Sequence, residues 1–335
     1  MNFFEVPVEE RRAYITQTAD HLDVSDLIVE KDLWVCWLLE MVFLLPTPMV
    51  FKGGTSLSKG FNLIKRFSED CDITIDYRHF SNQIEFEKIS RSQLKKVSDA
   101  LRQQLQHYVS ETILPFLKDK ASTLFSAHSF EITLSEDREQ LRFYYPSDLN
   151  SPLQGYLRDH VLLEFGIRNS VEPCEKQKIT PYLINVAPNH IALPQPIIDV
   201  LSPIRTYWEK VTLIHVECNR DRLLATPDRL SRHWYDLFML DQSWVGKEAL
   251  LRVDILKDVI LYKKAFFNAS YAHYDDCLQG LLRLIPEENN KKNLSSDFSK
   301  MINAAMFYEP PPSFSNIMDN LKILEDKINR LLNKL

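Results

Sequence analysis

The sequence predicts an α+β protein in which a small mixed sheet lies between helical segments. Apolar residues recur at helical spacing before Pro46 and again after Ser202. Between these stretches, residues 70–77 alternate polar and apolar side chains, which is typical of a strand with one buried face. The 335 residues, of which 45% are apolar and 26% charged, are enough for one large domain or two of ordinary size.

Four elements are predicted in the first 80 residues: a helical stretch, a strand, a helix and a second strand. They cover residues 9–45, 49–52, 55–65 and 70–77. Pro46 and Pro48 end the first helical stretch because proline lacks the N–H group that a helix needs. In the second strand Asp70 and Asp72 occupy alternate positions, so their side chains share one face, opposite Cys71 and its apolar neighbours.

The rest of the chain is predicted to form a long helix, four strands and a carboxy-terminal helical part that starts near Ser202. The helix covers residues 85–117 and the strands cover 128–134, 140–145, 158–168 and 180–186. In the last helix, apolar residues from Ile317 to Leu331 recur in steps of four and three, which forms an apolar seam. The seam spans fewer than three heptads, which favours packing on the chain's own core over a coiled coil. We therefore expect an amino-terminal helical segment (1–46), a core (47–195), a helical domain (196–308) and a terminal helix (313–335).

Several classes of protein do not fit the composition. The longest apolar stretch, Leu33 to Leu45, contains Glu40 and is shorter than the ~20 residues of a membrane-spanning helix. The amino terminus lacks the pattern of a secretory signal, so we expect a cytoplasmic protein. The five cysteines are odd in number and include no C-x-x-C pair, which argues against a disulfide framework and a structural zinc site.

The net charge of -6 gives the whole chain no attraction for nucleic acid, so such binding needs a local basic patch. Lys52, Lys59, Lys65 and Arg66 form one candidate, because no acidic residue interrupts this run. The same run also fits a solvated helix face. The sequence leaves both interpretations open.

Glycine is concentrated at one point of the chain. Gly53, Gly54 and Gly60 fall within eight residues, although the chain has seven glycines in total. Glycine is needed where the backbone turns with positive φ or where another group approaches closely. The spacing does not fit a P-loop, a dinucleotide-binding fingerprint or a nucleophile elbow. A turn that presents N–H groups at the start of a helix suits the phosphates of a nucleoside triphosphate.

The glycine turn is followed by a pair of carboxylates, Asp70 and Asp72. Side chains two residues apart on a strand lie about 7 Å apart, and Mg²⁺ is commonly held by one or two carboxylates together with substrate phosphates. Paired ions can clamp the attacking and leaving oxygens of an in-line displacement. Alone, the two aspartates also fit a solvated strand face. Together with the turn, they predict a nucleotidyl-transfer site that uses Mg²⁺ or Mn²⁺.

Two stretches carry a resemblance to a known family. The sequences KGGTSL (52–57) and RFSEDCD (66–72) together resemble the first motif of the AbiEii/AbiGii nucleotidyltransferase toxins, which include the MenT toxins. The stretch EKDLWV (30–35) is similar to the sequence that precedes this motif. Two departures are Cys71, where an aliphatic residue is usual, and the long spacing from the turn to Asp70. The resemblance implies a polymerase β-like nucleotidyltransferase core.

The resemblance also implies roles for single residues. RTYWEK, which ends at Lys210, resembles a motif whose lysine contacts nucleotide phosphates, and RHWYDL resembles the last motif, in which Asp236 would be a functional acid. Without the resemblance, Lys210 fits a solvated lysine and Asp236 fits a helical ion-pair partner of Arg232. The expected nucleotide-binding residues are Lys52, Gly53, Gly54, Thr55, Ser56, Arg66 and Ser68.

Glu164 is a candidate from the strand pattern alone. It is a lone acid in the apolar run from Val161 to Ile167, and a buried acid is normally paired or bound to metal. On a strand beside Asp70 and Asp72 it would be a third metal ligand or the base that receives a proton from the acceptor hydroxyl. The alternative is an edge-strand glutamate that faces water.

The function implied by the resemblance is that of the toxin of an AbiE-type toxin–antitoxin pair. It would use a nucleoside triphosphate, an RNA acceptor such as the acceptor end of tRNA, and an antitoxin partner. Lys59, Lys65 and Arg66 would contact the triphosphate or the RNA backbone. The alternatives are transfer to a small molecule or a protein side chain, and a nucleotide-binding protein without turnover.

Overall fold

The computed structural model describes residues 1–82, 84–125, 129–149, 157–220 and 229–334. Residue 128, the first of a predicted strand, lies outside the described residues. Within them, the chain runs from helices through a mixed region to a helical carboxy-terminal part, which confirms the predicted α+β class.

The described residues form helices α1 to α11 and strands β1 to β7. The helices are α1 (Val8–Leu22), α2 (Asp26–Val42), α3 (Gly53–Lys59), α4 (Arg91–Tyr108), α5 (Leu114–Leu124), α6 (Pro203–Cys218), α7 (Arg232–Gln242), α8 (Trp244–Leu251), α9 (Val253–Phe266), α10 (Glu288–Asn303) and α11 (Phe314–Leu332). The strands are β1 (Met49–Lys52), β2 (Asp70–Ile75), β3 (Glu131–Leu134), β4 (Gln140–Tyr144), β5 (Val161–Gly166), β6 (Cys174–Lys178) and β7 (Ile197–Leu201).

The seven described strands form one sheet in the order β3-β4-β5-β2-β1-β7-β6. Strand β2 lies at its centre, antiparallel to β1 and parallel to β5. The register places Lys52 opposite Asp72, and Asp72 opposite Glu164. Because paired residues of neighbouring strands lie side by side, these three charged residues form one row across the sheet.

One face of the sheet is covered by α2, α4 and α5. Cys71, Ile73 and Ile75 of β2 belong to this core, which confirms the alternation predicted for the strand. Trp37 of α2 stacks on Phe143 of β4, with ring centroids 5.6 Å apart. The aspartates of β2 therefore lie on the opposite face, away from this apolar layer.

Helices α6 to α11 pack around a second core, as predicted for the chain after Ser202. Trp208 of α6 and Trp234 of α7 are fully buried there. Ile317 and Leu321 of α11 belong to the same core, so the apolar side of this helix packs on the chain itself.

Some predicted elements differ from the structure. The first helical stretch is two helices, because Asp23 adopts a left-handed conformation with φ 54° at the end of α1. The helix predicted over residues 55–65 starts earlier and ends at Lys59. The strand predicted over residues 180–186 was wrong, since Tyr182–Asn185 forms a 3-10 turn.

Strands β6 and β7 were not predicted from the sequence. Strand β6 is an edge strand whose residues are mainly exposed, so it lacks the apolar alternation of a half-buried strand. Strand β7 lies inside the sheet although it falls after residue 195, where the predicted core ends.

Of the helices in the described part of the chain, none combines the length and apolar composition needed to cross a membrane.

Candidate active site

An open cleft of about 580 Å³ separates the polar face of the sheet from the helical part of the chain. Strands β1, β2 and β5 line one side, and helices α6, α7 and α9 line the other. The predicted site residues that line it are Lys52, Gly53, Asp70, Asp72, Glu164 and Lys210. The structure therefore brings together carboxylates and cations from segments that are far apart in sequence.

The glycine turn and Asp72 are in direct contact. Gly53 adopts φ +81°, a conformation that residues with a side chain rarely take. A Cβ atom on Gly53 would overlap the Asp72 carboxylate. The absence of a side chain at this position lets the backbone turn lie against the aspartate.

Asp72 is a half-buried carboxylate without an ion-pair partner within 4.0 Å among the described residues. Burial, together with the charges of Glu164 and Asp70, raises its pKa to about 7 against the opposing charges of Lys52 and Arg232. A carboxylate in this environment gains stability when a cation binds beside it.

Asp70 has the opposite electrostatic environment. Its carboxylate accepts hydrogen bonds from Arg158 at 2.9 Å and from Arg232 at 3.3 Å. Burial alone would raise its pKa, but the charges of Arg232, Arg158 and Arg229 lower it below its ordinary value. Asp70 is therefore held ionised and fixed in orientation at the edge of the cleft.

The donor set fits a hard divalent cation bound together with phosphates. Asp70 and Asp72 share one face of β2, and Mg²⁺ commonly takes one or two carboxylates while phosphates and water fill its other positions. Nowhere in the described residues do three or more metal-ligating side chains form a cluster. The structure therefore gives no support to Glu164 as a third metal ligand.

Glu164 remains a candidate base. It lies opposite Asp72 in the sheet, retains access to solvent, and accepts a hydrogen bond from Gln140 at 3.3 Å. Burial among the cleft walls raises its pKa, and the charge of Asp70 adds to this rise. A carboxylate with a raised pKa accepts a proton more readily than one in bulk water.

Lys210 and Asp236 form a buried ion pair at the helical side of the cleft. Lys210 Nζ donates to Asp236 Oδ2 at 2.8 Å and lies 3.5 Å from His233 Nδ1. Asp236 is fully buried and also accepts two hydrogen bonds of 2.8 Å from Arg66. Although burial raises the pKa of Asp236, the charges of Arg66 and Lys210 hold it below its ordinary value.

The structure differs from one expectation about Asp236 and from one about Arg66. Its partners are Arg66 and Lys210 rather than Arg232, which pairs with Asp70. Asp236 is fully buried and is not among the residues that line the cleft, so its contact is with Lys210. Arg66 is equally buried and does not line the cleft, so the structure does not support its expected contact with phosphate.

Other predicted nucleotide-binding side chains hold the turn in place. The Thr55 hydroxyl donates to the Asp70 carbonyl at 2.6 Å and lies 2.9 Å from Ser68 Oγ. The Ser56 hydroxyl donates to the Gly53 carbonyl at 2.9 Å. All three hydroxyl side chains are buried, and Gly54 packs against Ser68. What this segment can offer a ligand is its main chain.

The basic residues of the run from Lys52 to Arg66 do not form one surface. The Lys59 side chain is 4% exposed, pairs with Asp32 at 2.5 Å and lies over the Tyr182 ring, so the structure does not support its expected contact with phosphate or RNA. Lys65 Nζ donates to the side-chain oxygen of Asn62 at the protein surface. Lys52 is the member of the run that lines the cleft.

The structure adds functional candidates that the sequence did not reveal. Arg158 holds Asp70, and its carbonyl accepts a hydrogen bond from Lys31, which also pairs with Glu69. No sequence signal identified Arg158. Arg232 entered the sequence analysis as a possible ion-pair partner of Asp236, whereas in the structure it pairs with Asp70. Lys263 and Glu209 also line the cleft.

Comparison with known proteins gives one family and a structural likeness. A family model described as the nucleotidyl transferase AbiEii toxin of type IV toxin–antitoxin systems matches residues 38–320. No curated protein matches the chain. Among solved structures, the chain is similar to MenT4, a nucleotidyltransferase toxin from Mycobacterium tuberculosis H37Rv, with 14% sequence identity and a TM-score of 0.44. That similarity covers 95% of this chain and 98% of the other.

Proposed function

The chain belongs to the AbiEii nucleotidyltransferase toxin family, and we propose that it uses Mg²⁺ to transfer a nucleotide from a nucleoside triphosphate to the acceptor end of tRNA. The observation that carries this proposal is the contact between the Gly53 turn and Asp72, beside Asp70, at one end of the cleft. The turn and the two carboxylates are the parts that a triphosphate and a divalent cation require.

Several charged residues in or beside the cleft have a proposed part in the reaction. Asp70 and Asp72 would hold Mg²⁺ or Mn²⁺, which when bound supplies positive charge to the phosphates. Arg158 and Arg232 keep Asp70 ionised and oriented. Lys210, positioned by Asp236, brings a cation to the phosphates from the opposite wall.

The chemistry of transfer is a displacement at phosphorus. The acceptor hydroxyl oxygen forms a bond to the α-phosphorus while the bond between the α-phosphorus and the bridging oxygen breaks, and pyrophosphate leaves. Glu164 receives the proton of the acceptor hydroxyl. Lys52, in register with Asp72, adds positive charge on the sheet side of the cleft.

An RNA acceptor would be held by individual cations, because the residues that line the cleft include six cationic and six acidic side chains. The protein as a whole carries a net charge of -6, so attraction for RNA must come from a local group of cations. Cationic side chains that line the cleft are Lys52, Arg168, Lys210, Arg220, Arg232 and Lys263. We further propose that the toxin acts with an antitoxin partner, as the name of the matching family implies.

Labelled nucleotides test the proposed function. Purified protein is incubated with each α-³²P-labelled nucleoside triphosphate, total RNA, and either Mg²⁺ or a chelator. We expect label in RNA of tRNA size with Mg²⁺ and none with the chelator. Label that appears in protein or small molecules but not in RNA would refute the tRNA acceptor, and no label in any fraction would refute nucleotidyl transfer under these conditions.

A further inference from the structure

Helix α6 forms one wall of the cleft along most of its length. The residues on this wall are Thr206, Glu209, Lys210, Leu213, Val216, Glu217 and, just past the helix end, Arg220. Lys210 and Glu217 are seven residues apart, so they lie on one face of the helix, about 10 Å apart along its axis. This distance is comparable to the span from the α-phosphate of a nucleotide to the far edge of its base.

Glu217 carries an unpaired acceptor in the cleft wall. The residue is 6% exposed, and its Oε1 atom pairs with Arg220 Nε at 3.1 Å. The Oε2 atom is buried and has no hydrogen-bond partner among the described residues. An unsatisfied buried carboxylate oxygen is costly in a folded protein, and each such group requires an explanation. A hydrogen-bond donor on a ligand in the cleft supplies one.

The surroundings of Glu217 suit a flat ring. Leu213 and Val216 present apolar atoms between the Lys210 end and the Glu217 end of the wall. Tyr274 and the partly exposed Phe267 line the same cleft. Aromatic and apolar side chains with few convergent polar groups are typical of pockets for organic ligands.

We propose that Glu217 accepts a hydrogen bond from the exocyclic amino group of the nucleobase, and so selects amino-bearing bases. This inference rests on the proposed function, because it takes the phosphates to lie at the Lys210 end. A carboxylate accepts hydrogen bonds and cannot donate them. Where cytosine carries an amino group, uracil carries a carbonyl oxygen, which the Glu217 carboxylate repels. The Arg220 guanidinium lies 3.1 Å from Oε1 as an ion-pair partner without hydrogen-bond geometry, which leaves Oε2 for the base.

Matched nucleotide pairs test the proposal. Equilibrium binding by calorimetry and nucleotide transfer are each measured for CTP against UTP and for GTP against ITP, which lacks the amino group of GTP. For the pair of nucleotides that binds, we expect the member with the amino group to be favoured in binding and in transfer by about tenfold to a hundredfold. This is the usual range for a hydrogen bond to a charged group. In Glu217→Gln the preference should fall to within about threefold. Glu248→Gln, on the exposed side of α8, is the control and should keep the wild-type preference.

The outcomes separate this inference from the proposed function. Wild-type protein that binds both members of each pair equally overturns the inference, and so does Glu217→Gln that keeps the wild-type preference. If Glu217→Gln fails to fold by circular dichroism, the wild-type comparison alone decides. Selective binding without any transfer supports the inference and refutes the proposed function. Transfer without selectivity supports the proposed function and refutes the inference. Absence of nucleotide binding refutes both.

Discussion

Single residues in the cleft differ mainly in how their charges are balanced. Asp70 and Asp72 are two residues apart on β2, yet the arginines around Asp70 lower its pKa while burial and neighbouring acids raise that of Asp72 to about 7. We infer a division of work between them. Asp70 is a permanent anion that the protein holds in place, and Asp72 is the carboxylate whose charge a bound cation would balance.

Lys263 shows the same balance for a cation. It lies in the cleft wall, and Nζ donates to the Glu209 carbonyl at 3.0 Å. Burial lowers its pKa to about 8, although the charge of Glu209 opposes this shift. Lys263 therefore loses its positive charge as the pH rises through about 8, well below the ordinary value for lysine.

We predict that affinity for nucleoside triphosphates falls between pH 7 and pH 9, because the cleft loses the positive charge of Lys263. Lys263→Met should bind more weakly at pH 7 and should lose the transition near pH 8. Calorimetry of triphosphate binding across this pH range is the measurement. Lys247→Met, an exposed site on α8, should keep the wild-type profile. A Lys263→Met profile identical to that of the wild type would show that this lysine does not contribute.

At the scale of elements, the site depends on how the start of α3 meets β2. Thr55 ties α3 to the main chain of β2, and Gly53 makes the turn that lies against Asp72. The turn has no room for a side chain and uses a positive φ. Its shape therefore sets the position of the carboxylate that we propose for metal binding.

Gly53→Ala should damage function more than stability. The backbone strain of a positive φ costs about 1 to 3 kcal/mol, and the added methyl group would displace the Asp72 carboxylate. We expect folded protein with little nucleotide transfer. Circular dichroism with urea unfolding measures the first property, and the labelled-RNA assay measures the second.

Gly166→Ala is the matched control for this change. A Cβ atom at Gly166 would meet Thr74 Oγ1 at 3.9 Å, an ordinary contact, and no positive φ is involved. Gly166 also lines the cleft, so this variant adds a methyl group there without touching Asp72, and it should fold and transfer nucleotide faster than Gly53→Ala. Full activity in Gly53→Ala would mean that the turn does not position Asp72.

A helix or strand could be predicted from the sequence where burial of one of its sides leaves a periodic pattern of apolar residues. The alternation in β2 and the apolar steps of α11 reflect burial on one side, so both were predicted from the sequence. Strand β6 is polar and exposed at a sheet edge, and it left no such signal. The turn and the two aspartates were found because their chemistry is local.

The rest of the site depends on contacts between distant parts of the chain. Arg158 and Asp70 are 88 residues apart, and Arg66 and Asp236 are 170 apart. No local pattern indicates such pairs. Arg66 was therefore assigned to phosphate, whereas the structure buries it against Asp236.

At the scale of the whole molecule, buried and half-buried ion pairs join the sheet region to α7 and the segment before it. Arg66 pairs with Asp236, Glu69 with Arg229, and Asp70 with Arg232. These pairs lie beside the cleft and cross between its two sides. They fix the distance between the carboxylates of β2 and the helical wall that carries Lys210.

Asp236→Asn should destabilise the protein strongly. It leaves Arg66 and Lys210 buried without their anion, and breaking a buried pair in this way costs about 3 to 5 kcal/mol. Asp254→Asn removes an exposed ion pair with Arg252 and should leave the unfolding free energy close to that of the wild type. Urea unfolding of both variants at pH 7 is the measurement. Equal losses in the two variants would contradict the bridging role.

The pH dependence of this effect has a definite sign. The pKa of Asp236 is lower in the folded protein than its ordinary value of 3.8, so its stabilisation is complete above that value. As the pH falls below about 4, the unfolded chain takes up the proton first and the stabilisation is lost. The difference in unfolding free energy between the wild type and Asp236→Asn should therefore shrink at acid pH. A constant difference down to pH 2 would contradict this assignment.

The rate of nucleotide transfer by Asp72→Asn tests the central claim most directly, because this change removes the charge that the account assigns to metal binding and keeps the shape of the side chain. Single-turnover incorporation of labelled nucleotide into RNA is compared for the wild type, Asp72→Asn and the exposed control Asp199→Asn on β7, all verified as folded. We predict a loss of about a hundredfold or more for Asp72→Asn and no loss for Asp199→Asn. Transfer by Asp72→Asn at the wild-type rate would contradict the claim that the cleft carboxylates carry the reaction.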